Sequence, residues 1–151
     1  MRKESPDTGI PKYLIPRVTP EATEFFAGTV RGELRVQRCA DCGQHHHYPR
    51  VLCPHCGSEH LEWVTANGLG TVHSFTVIRQ HGIPPFKEQA PYLVALVDLD
   101  EAGARFLAQL PNVAPEDARI GMRVRATFRP ASDEVAFVDF DPADPSGVAA
   151  P

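Results

Sequence analysis

A mainly β fold is predicted: a short N-terminal helix, a ribbon stapled by a metal ion, and then a five-stranded barrel. Three observations predict it. The four cysteines stand in two CxxC pairs. Fifteen prolines and eleven glycines cut the 151 residues into many short elements, which suits β structure better than a helical bundle. Beyond residue 68, runs of Val, Phe, Thr and Ile recur with the loose alternation of half-buried strands.

Residues 1–19 read as an irregular arm, because Pro6, Pro11 and Pro16 block regular structure. Its apolar members Ile10, Tyr13, Leu14 and Ile15 are unusual for a free tail, so it docks either on its own domain or on a partner. Thr19-Pro20 reads as a helix cap followed by proline at the first helical position, opening a short helix over Pro20 to Thr29. Phe25 and Phe26 of that helix face the core or a neighbour. Gly32 ends the element. Leu34, Val36 and Arg38 then alternate as a strand into the first CxxC, and a second strand around Leu61 to Val64 leaves the other.

The barrel occupies the next stretch, 65–140. Residues 69–79 form its first strand, 80–91 a proline-rich loop, 92–99 (YLVALVDL) an apolar strand, and 104–110 its hairpin partner. Pro115 to Ala118 suggests one helical turn. Residues 122–128 (MRVRATF) alternate, and Val135 to Phe140 is the last strand. Five strands with one short helical turn late in the order fit an OB-fold; an SH3-like barrel or a small sandwich would give a similar pattern. Residues 141–151, rich in Pro and Asp, read as a disordered tail.

Cys39 and Cys42 stand in RCADCG, and Cys53 and Cys56 in LCPHCG, with ten residues between the pairs. A CxxC turn aims two sulfurs at one ion, and the glycine after each pair relieves the tight turn that follows. Two facing turns supply four sulfurs, which suits tetrahedral Zn²⁺, with iron the less favoured occupant. Such a site is closed and structural: it holds no water to activate, and it removes the cysteines from the list of nucleophiles. Disulfides and a redox CxxC are the competing readings, and two CxxC pairs at ribbon spacing argue against the second. The first residues, MRKESPDTG, lack the apolar stretch of a secretory signal, so a reducing, cytoplasmic setting is expected. His45, His46 and His47 are expected as exposed loop residues, and His55 as a donor of an N–H toward a ligand sulfur.

Formal net charge is −4, and four thiolates with one dication would take it to about −6. That balance is poor for a general nucleic-acid binder. No apolar run has the length of a membrane span. No catalytic set emerges. The serines sit in no GxSxG-like turn, His73 and His81 are isolated, and Asp98, Asp100 and Glu101 read as a solvated hairpin turn. On the strand at 122–129, Arg123, Arg125 and Arg129 alternate with apolar residues, with Arg119 upstream. Guanidinium groups so spaced can pair with phosphates, or simply form a solvated face. A second group, Arg31, Arg35, Arg38 and Arg50, lies on or beside the ribbon.

The stretches EFFAGTVRGELRVQRCADCG, YPRVLCPHCGS, LEWVTANGLGTVHSFTVIR, APYLVALVDLDEAGAR and PEDARIGMRVRATF run in order from Glu24 to Phe128. Together they resemble a family of small acyl-CoA-associated proteins joining an N-terminal helix and a rubredoxin-like zinc ribbon to a C-terminal OB-fold. The resemblance implies a non-catalytic subunit of a thiolase-superfamily enzyme, of thiolase, acyl-CoA condensation or steroid side-chain aldolase type. A thiolase-fold partner would carry the catalytic groups, with the acyl-CoA thioester at the shared interface. The helix and arm, through Phe25, Phe26, Tyr13 and Leu14, are then expected to face that partner, and Arg123, Arg125 and Arg129 to meet the CoA phosphates. The HHH run departs from the family, where apolar or aromatic residues are usual. The competing function is a nucleic-acid-binding module, since OB-folds and zinc ribbons both serve that role. It would need exposed aromatics among basic residues, whereas Phe75, Phe106 and Phe128 sit at positions expected in the core.

Overall fold

A computed structural model describes residues 9–80 and 82–143. The expectations for residues 1–8, His81 and residues 144–151 lie outside the described residues. In chain order the elements are α1 (Thr23–Arg31), β1 (Leu34–Cys39), β2 (His45–His46), β3 (Leu61–Ala66), β4 (Leu69–Ile78), α2 (Phe86–Gln89), β5 (Tyr92–Leu99), β6 (Arg105–Gln109), β7 (Arg123–Pro130) and β8 (Ala136–Pro142), with 3₁₀ turns at Lys12–Leu14 and Pro20–Ala22.

The helix starts later and runs further than its sequence signals suggest. Thr19 makes no side-chain cap; its carbonyl instead accepts the N–H of Ala22 at 3.0 Å and the hydroxyl of Thr23 at 3.1 Å. The chain therefore opens as a 3₁₀ turn and becomes α-helical at Thr23. At its end Gly32 takes φ +76°, and the N–H groups of Gly32 and Glu33 reach back to Thr29 and Gly28, which is a Schellman closure. The buried face is Phe25, Gly28 and Thr29. A Cβ at Gly28 would lie 2.4 Å from the Arg35 Cγ, so glycine lets the helix lie close on β1. The Thr29 hydroxyl donates to the Phe26 carbonyl and accepts the N–H of Ala136 at 3.2 Å, tying the helix to the start of β8.

The ribbon is an antiparallel sheet of order β2-β1-β3. The barrel is a five-stranded antiparallel sheet of order β6-β5-β4-β7-β8, whose end strands approach where Phe106 meets Phe140 edge-on at 5.9 Å. β4 curls to serve both halves, pairing with β5 from Gly70 to Ile78 and with β7 from Leu69 to Thr71. Its register with β5 shifts between Val72 and Ser74, leaving His73 as a bulge. Gly70 sits where the strands press closest: a Cβ there would lie 2.6 Å from Val97 Cγ1 and 2.7 Å from the Asp98 carbonyl. β5 alternates half-buried and buried along its whole length, and Leu93, Ala95, Val97 and Leu99 fill the barrel. The core is continuous with Phe25, Leu34 and Val36.

The structure changes several expectations. The loop at 80–91 contains α2, formed by FKEQ in the proline-free gap between Pro85 and Pro91. Ala114 to Asp117 makes a single hydrogen-bonded turn rather than a helical turn. The last strand continues beyond residue 140, because Asp141 and Pro142 pair with Arg125 and Val124. The histidine run is not an exposed loop. The chain turns back after Gly43, so His45 and His46 form β2 opposite Arg38 and Gln37. His46 is 7 % exposed, and His47 stacks on Phe106 with ring centroids 4.0 Å apart.

Candidate metal centre and surrounding surfaces

The two knuckles repeat one hydrogen-bond pattern. In the first, the Cys39 N–H donates to the Gln44 carbonyl and the Gly43 N–H to the Cys39 carbonyl; in the second, Cys53 pairs with Ser58 and Gly57 with Cys53. Gly43 and Gly57 close them at φ +73° and +77°, where a side chain would be strained. Backbone N–H groups act on every sulfur: Cys42 and then Asp41 on Cys39, Gln44 on Cys42, His55 on Cys53 and Ser58 on Cys56. The His55 donor is thus its backbone N–H, at 3.4 Å.

All four Sγ atoms lie within 4.8 Å of one another, with Cys39–Cys56 at 3.6 Å and Cys42–Cys53 at 3.7 Å. A disulfide would need about 2.05 Å. A tetrahedral ion with metal–sulfur bonds of about 2.3 Å needs sulfurs about 3.8 Å apart, so the donor set fits Zn²⁺ or iron. Backbone N–H groups, first that of Cys42, hold the Cys39 thiol down to about 6. The Ser58 N–H acts the same way on Cys56, but burial and the neighbouring sulfurs push that thiol up to about 12. Four thiolates so close repel one another, and a dication removes the conflict. The four cysteines form a metal-binding site with no fifth protein ligand among the described residues.

Two polar clusters support the ribbon, and neither was read from the sequence. Gln37, 5 % exposed, accepts from the Arg50 N–H at 2.7 Å, sits 2.9 Å from His46 Nε2, and donates to the Arg50 carbonyl at 3.0 Å. It fastens the loop between the knuckles to β1. Asp41, Ser58 and His60 form the second cluster. The Ser58 hydroxyl donates to Asp41 Oδ2 at 2.5 Å and accepts the His60 N–H at 2.9 Å, while His60 Nδ1 lies 3.1 Å from Asp41. Hydrogen bonds from Ser58, then His60, hold the Asp41 carboxyl below the usual carboxylate range. This is no Ser-His-Asp triad, because the serine bonds to the aspartate and not to the imidazole. Its residue types would have prompted a search; their separation of 17 and 19 residues hides the contact.

The arginine strip is divided by its neighbours. Arg123 spans both carboxylate oxygens of Asp100 and donates to Thr71 Oγ1 at 2.8 Å. Arg129 Nε donates to the buried Asp139 at 2.9 Å, and its guanidinium lies over the Phe137 ring. Arg119 turns onto the Glu116 and Asp117 carbonyls. Arg125 makes no ion pair among the described residues and lines a cleft with Asn67 and Gly68. Two of the hairpin carboxylates, Asp98 and Asp100, are likewise paired rather than merely solvated, while Glu101 is exposed. Asp98 holds Arg105 Nε at 2.7 Å and His73 Nδ1 at 2.9 Å, and Arg105 first, then His73, lowers its pKa.

Of the residues expected to face a partner, Phe25 is buried at 7 % exposure, because the first turn of α1 presses it onto Phe26 and His47. That is a correction: it belongs to the core. Phe26 is half-buried against the same cluster. Tyr13 is exposed, and its hydroxyl donates to the Pro84 carbonyl at 3.0 Å. Leu14 lines a cavity of about 470 Å³ with Ile10, Phe86, Ala108 and Phe137, so the described part of the arm lies on its own barrel. Phe75 and Phe128 pack half-buried against the core, and Phe106 lies within it. None of the three offers the exposed stacking face a nucleic acid would use.

A closed four-sulfur ribbon joined to an OB-fold defines the class: a zinc-ribbon/OB-fold protein. The model of the "ChsH2, rubredoxin-like zinc ribbon domain" matches residues 26–62, and that of the "ChsH2, C-terminal OB-fold domain" matches 63–129. The chain belongs to this ChsH2-type DUF35 family. It is 36% identical over 105 residues to a DUF35 domain-containing scaffold protein of Methanothermobacter thermautotrophicus, covering 69% of this chain and 77% of that protein. It is 38% identical over 137 residues to a probable enoyl-CoA hydratase alpha subunit of Thermomonospora curvata, covering 89% of this chain but only 42% of that protein. A solved structure, described as the Ltp2-ChsH2(DUF35) aldolase, contains a chain that superimposes with a TM-score of 0.73 and 37% identity, over 85% of this chain and 98% of that one. Among the described residues no helix is long and apolar enough to cross a membrane.

Proposed function

We propose that the chain is a non-catalytic, acyl-CoA-associated accessory subunit of a thiolase-superfamily enzyme. It stabilises a catalytic partner and shapes the passage that admits the acyl-CoA thioester. One observation carries this reading: the likeness extends over 98% of a DUF35 chain from a structure described as an aldolase assembly with Ltp2. Zinc on Cys39, Cys42, Cys53 and Cys56 has a structural role, holding the knuckles together. In this reading the unit 20–64 carries helix and ribbon, 65–140 the barrel, and 1–19 the arm, and the protein works in the reducing cytoplasm. Phe26, Tyr13 and Leu14 border the surface offered to the partner. Of the arginine strip, Arg125 is the member open to a CoA phosphate, because Arg123 and Arg129 would first have to leave Asp100 and Asp139.

The test is co-expression with a thiolase-fold protein from the same genome. The purified complex is assayed with CoA thioesters beside each protein alone. Co-elution, with turnover by the complex exceeding that of the partner alone, is expected. Turnover by this chain alone overturns the accessory role. Stoichiometric zinc is expected in protein purified without chelator.

A further inference from the structure

We propose that Asp41, Ser58 and His60 form an outer clasp that governs how tightly the ribbon keeps its metal. The inference rests on the reading of the four cysteines as a zinc site. The backbone N–H of Asp41, after that of Cys42, acts on the Cys39 sulfur, and that of Ser58 acts on the Cys56 sulfur. Those two sulfurs, one from each knuckle, are 3.6 Å apart. The side chains of Asp41 and Ser58 bond to each other at 2.5 Å, and His60 braces both, through Nδ1 to Asp41 and through its N–H to Ser58. The clasp therefore ties together the two residues whose backbone N–H groups act on Cys39 and Cys56, across the metal position. An N–H bonded to a thiolate withdraws charge from the sulfur, and fixing the donor fixes the direction of the sulfur lone pair. No equivalent clasp links Gln44 and His55, the donors to Cys42 and Cys53, among the described residues. The Cys39/Cys56 half of the site is the braced half, and metal leaves by release of Cys42 and Cys53 first.

Three variants test this: Ser58→Ala, which keeps the backbone N–H and removes one hydroxyl, Asp41→Ala, and the double variant. Zinc transfer from the loaded protein to a chromogenic chelator should be about tenfold faster in each single variant, the usual scale for groups that orient metal ligands. The double variant should be no faster than the faster single variant, because both break one device. With Co²⁺ in place of zinc, the sulfur-to-cobalt charge-transfer band should shift in all three, a signature that loss of general ribbon stability would not produce. Glu62→Ala, which removes the Arg38 ion pair elsewhere on the ribbon, should leave both readouts unchanged. Transfer rates within about twofold of wild type, far below the tenfold scale, with an unmoved cobalt band overturn the clasp and leave the zinc site standing. Additive effects of Asp41→Ala and Ser58→Ala also overturn it. Wild-type protein that holds no zinc overturns both readings.

Discussion

In the ribbon, residues 34–66, the buried side chains are Leu34, Val36 and Ala66, two cysteines, and the polar pair Gln37 and His46. In the barrel, Val72, Leu93, Ala95, Val97, Leu99, Phe106, Leu110, Val124 and Phe140 close on one another with Asp139 as the one buried charged residue among those described. The barrel thus rests on apolar area removed from water, at about 25 cal/mol per Å². The ribbon has too little such area, and substitutes sulfur–metal bonds and a net of polar contacts. One protein solves the same problem in two ways, and the two regions should fail under different insults.

The largest expected effect is loss of the metal. Cys39→Ser, or a strong chelator, should remove folding free energy of order 10 kcal/mol from the ribbon, the scale known for small zinc domains. Hydrogen exchange should show β1–β3 losing protection while β4 and β5 keep theirs, and complex formation with the proposed thiolase-fold partner should be lost. If all strands open together, the shared cluster of Phe25, Leu34 and Phe106 has fused the two regions into one cooperative unit. Second in size is Phe106→Ala, which strikes the barrel core where the rings of Phe25, His47 and Phe140 meet. Chemical denaturation should show a loss of about 3–5 kcal/mol, with zinc content unchanged. Third is Gly70→Ala. The new methyl meets the Asp98 backbone, which cannot step aside as a side chain end would, and a cost of about 1–3 kcal/mol is expected by thermal unfolding.

What was legible in the sequence follows the same division. Spacing alone placed the knuckles, because a CxxC turn is a local geometry. Strand β5 was legible because YLVALVDL has its length and composition, and its register buries every second residue. Interactions between distant residues were not legible. Nothing in the sequence near Arg123 or Arg129 names Asp100 or Asp139, because those ion pairs depend on strand register and on the turn that follows Leu99. The histidine run misled for a related reason. Imidazole is polar in composition but flat in shape, and His47 occupies a slot among aromatic rings that an apolar or aromatic residue would fill. The described part of the arm resolved an open question by lying on its own barrel, a contact no local pattern encodes.

His47 also gives the smallest and most discriminating prediction, since it lies where ribbon and barrel touch. Burial, then the nearby His46, pushes its pKa down to about 3, so the folded protein holds a neutral imidazole. An unfolded histidine titrates near about 6.5. Between those values the unfolded state binds one more proton than the folded state, so stability falls as pH drops below about 6.5 and the loss continues toward 3. At about pH 5.5 the loss from this residue is about 1.4 kcal/mol relative to neutral pH. His47→Phe keeps a flat ring against Phe106 and removes the titration. The variant should match wild type closely at about pH 7.5 and exceed its stability at about pH 5.5 by roughly that amount in urea unfolding. The comparison needs metal-loaded protein at both pH values, because acid also competes for the thiolates. A variant whose stability falls with acid as steeply as wild type would show that ribbon and barrel part before His47 meets water. The acid-sensitive step would then belong to the ribbon's sulfurs alone.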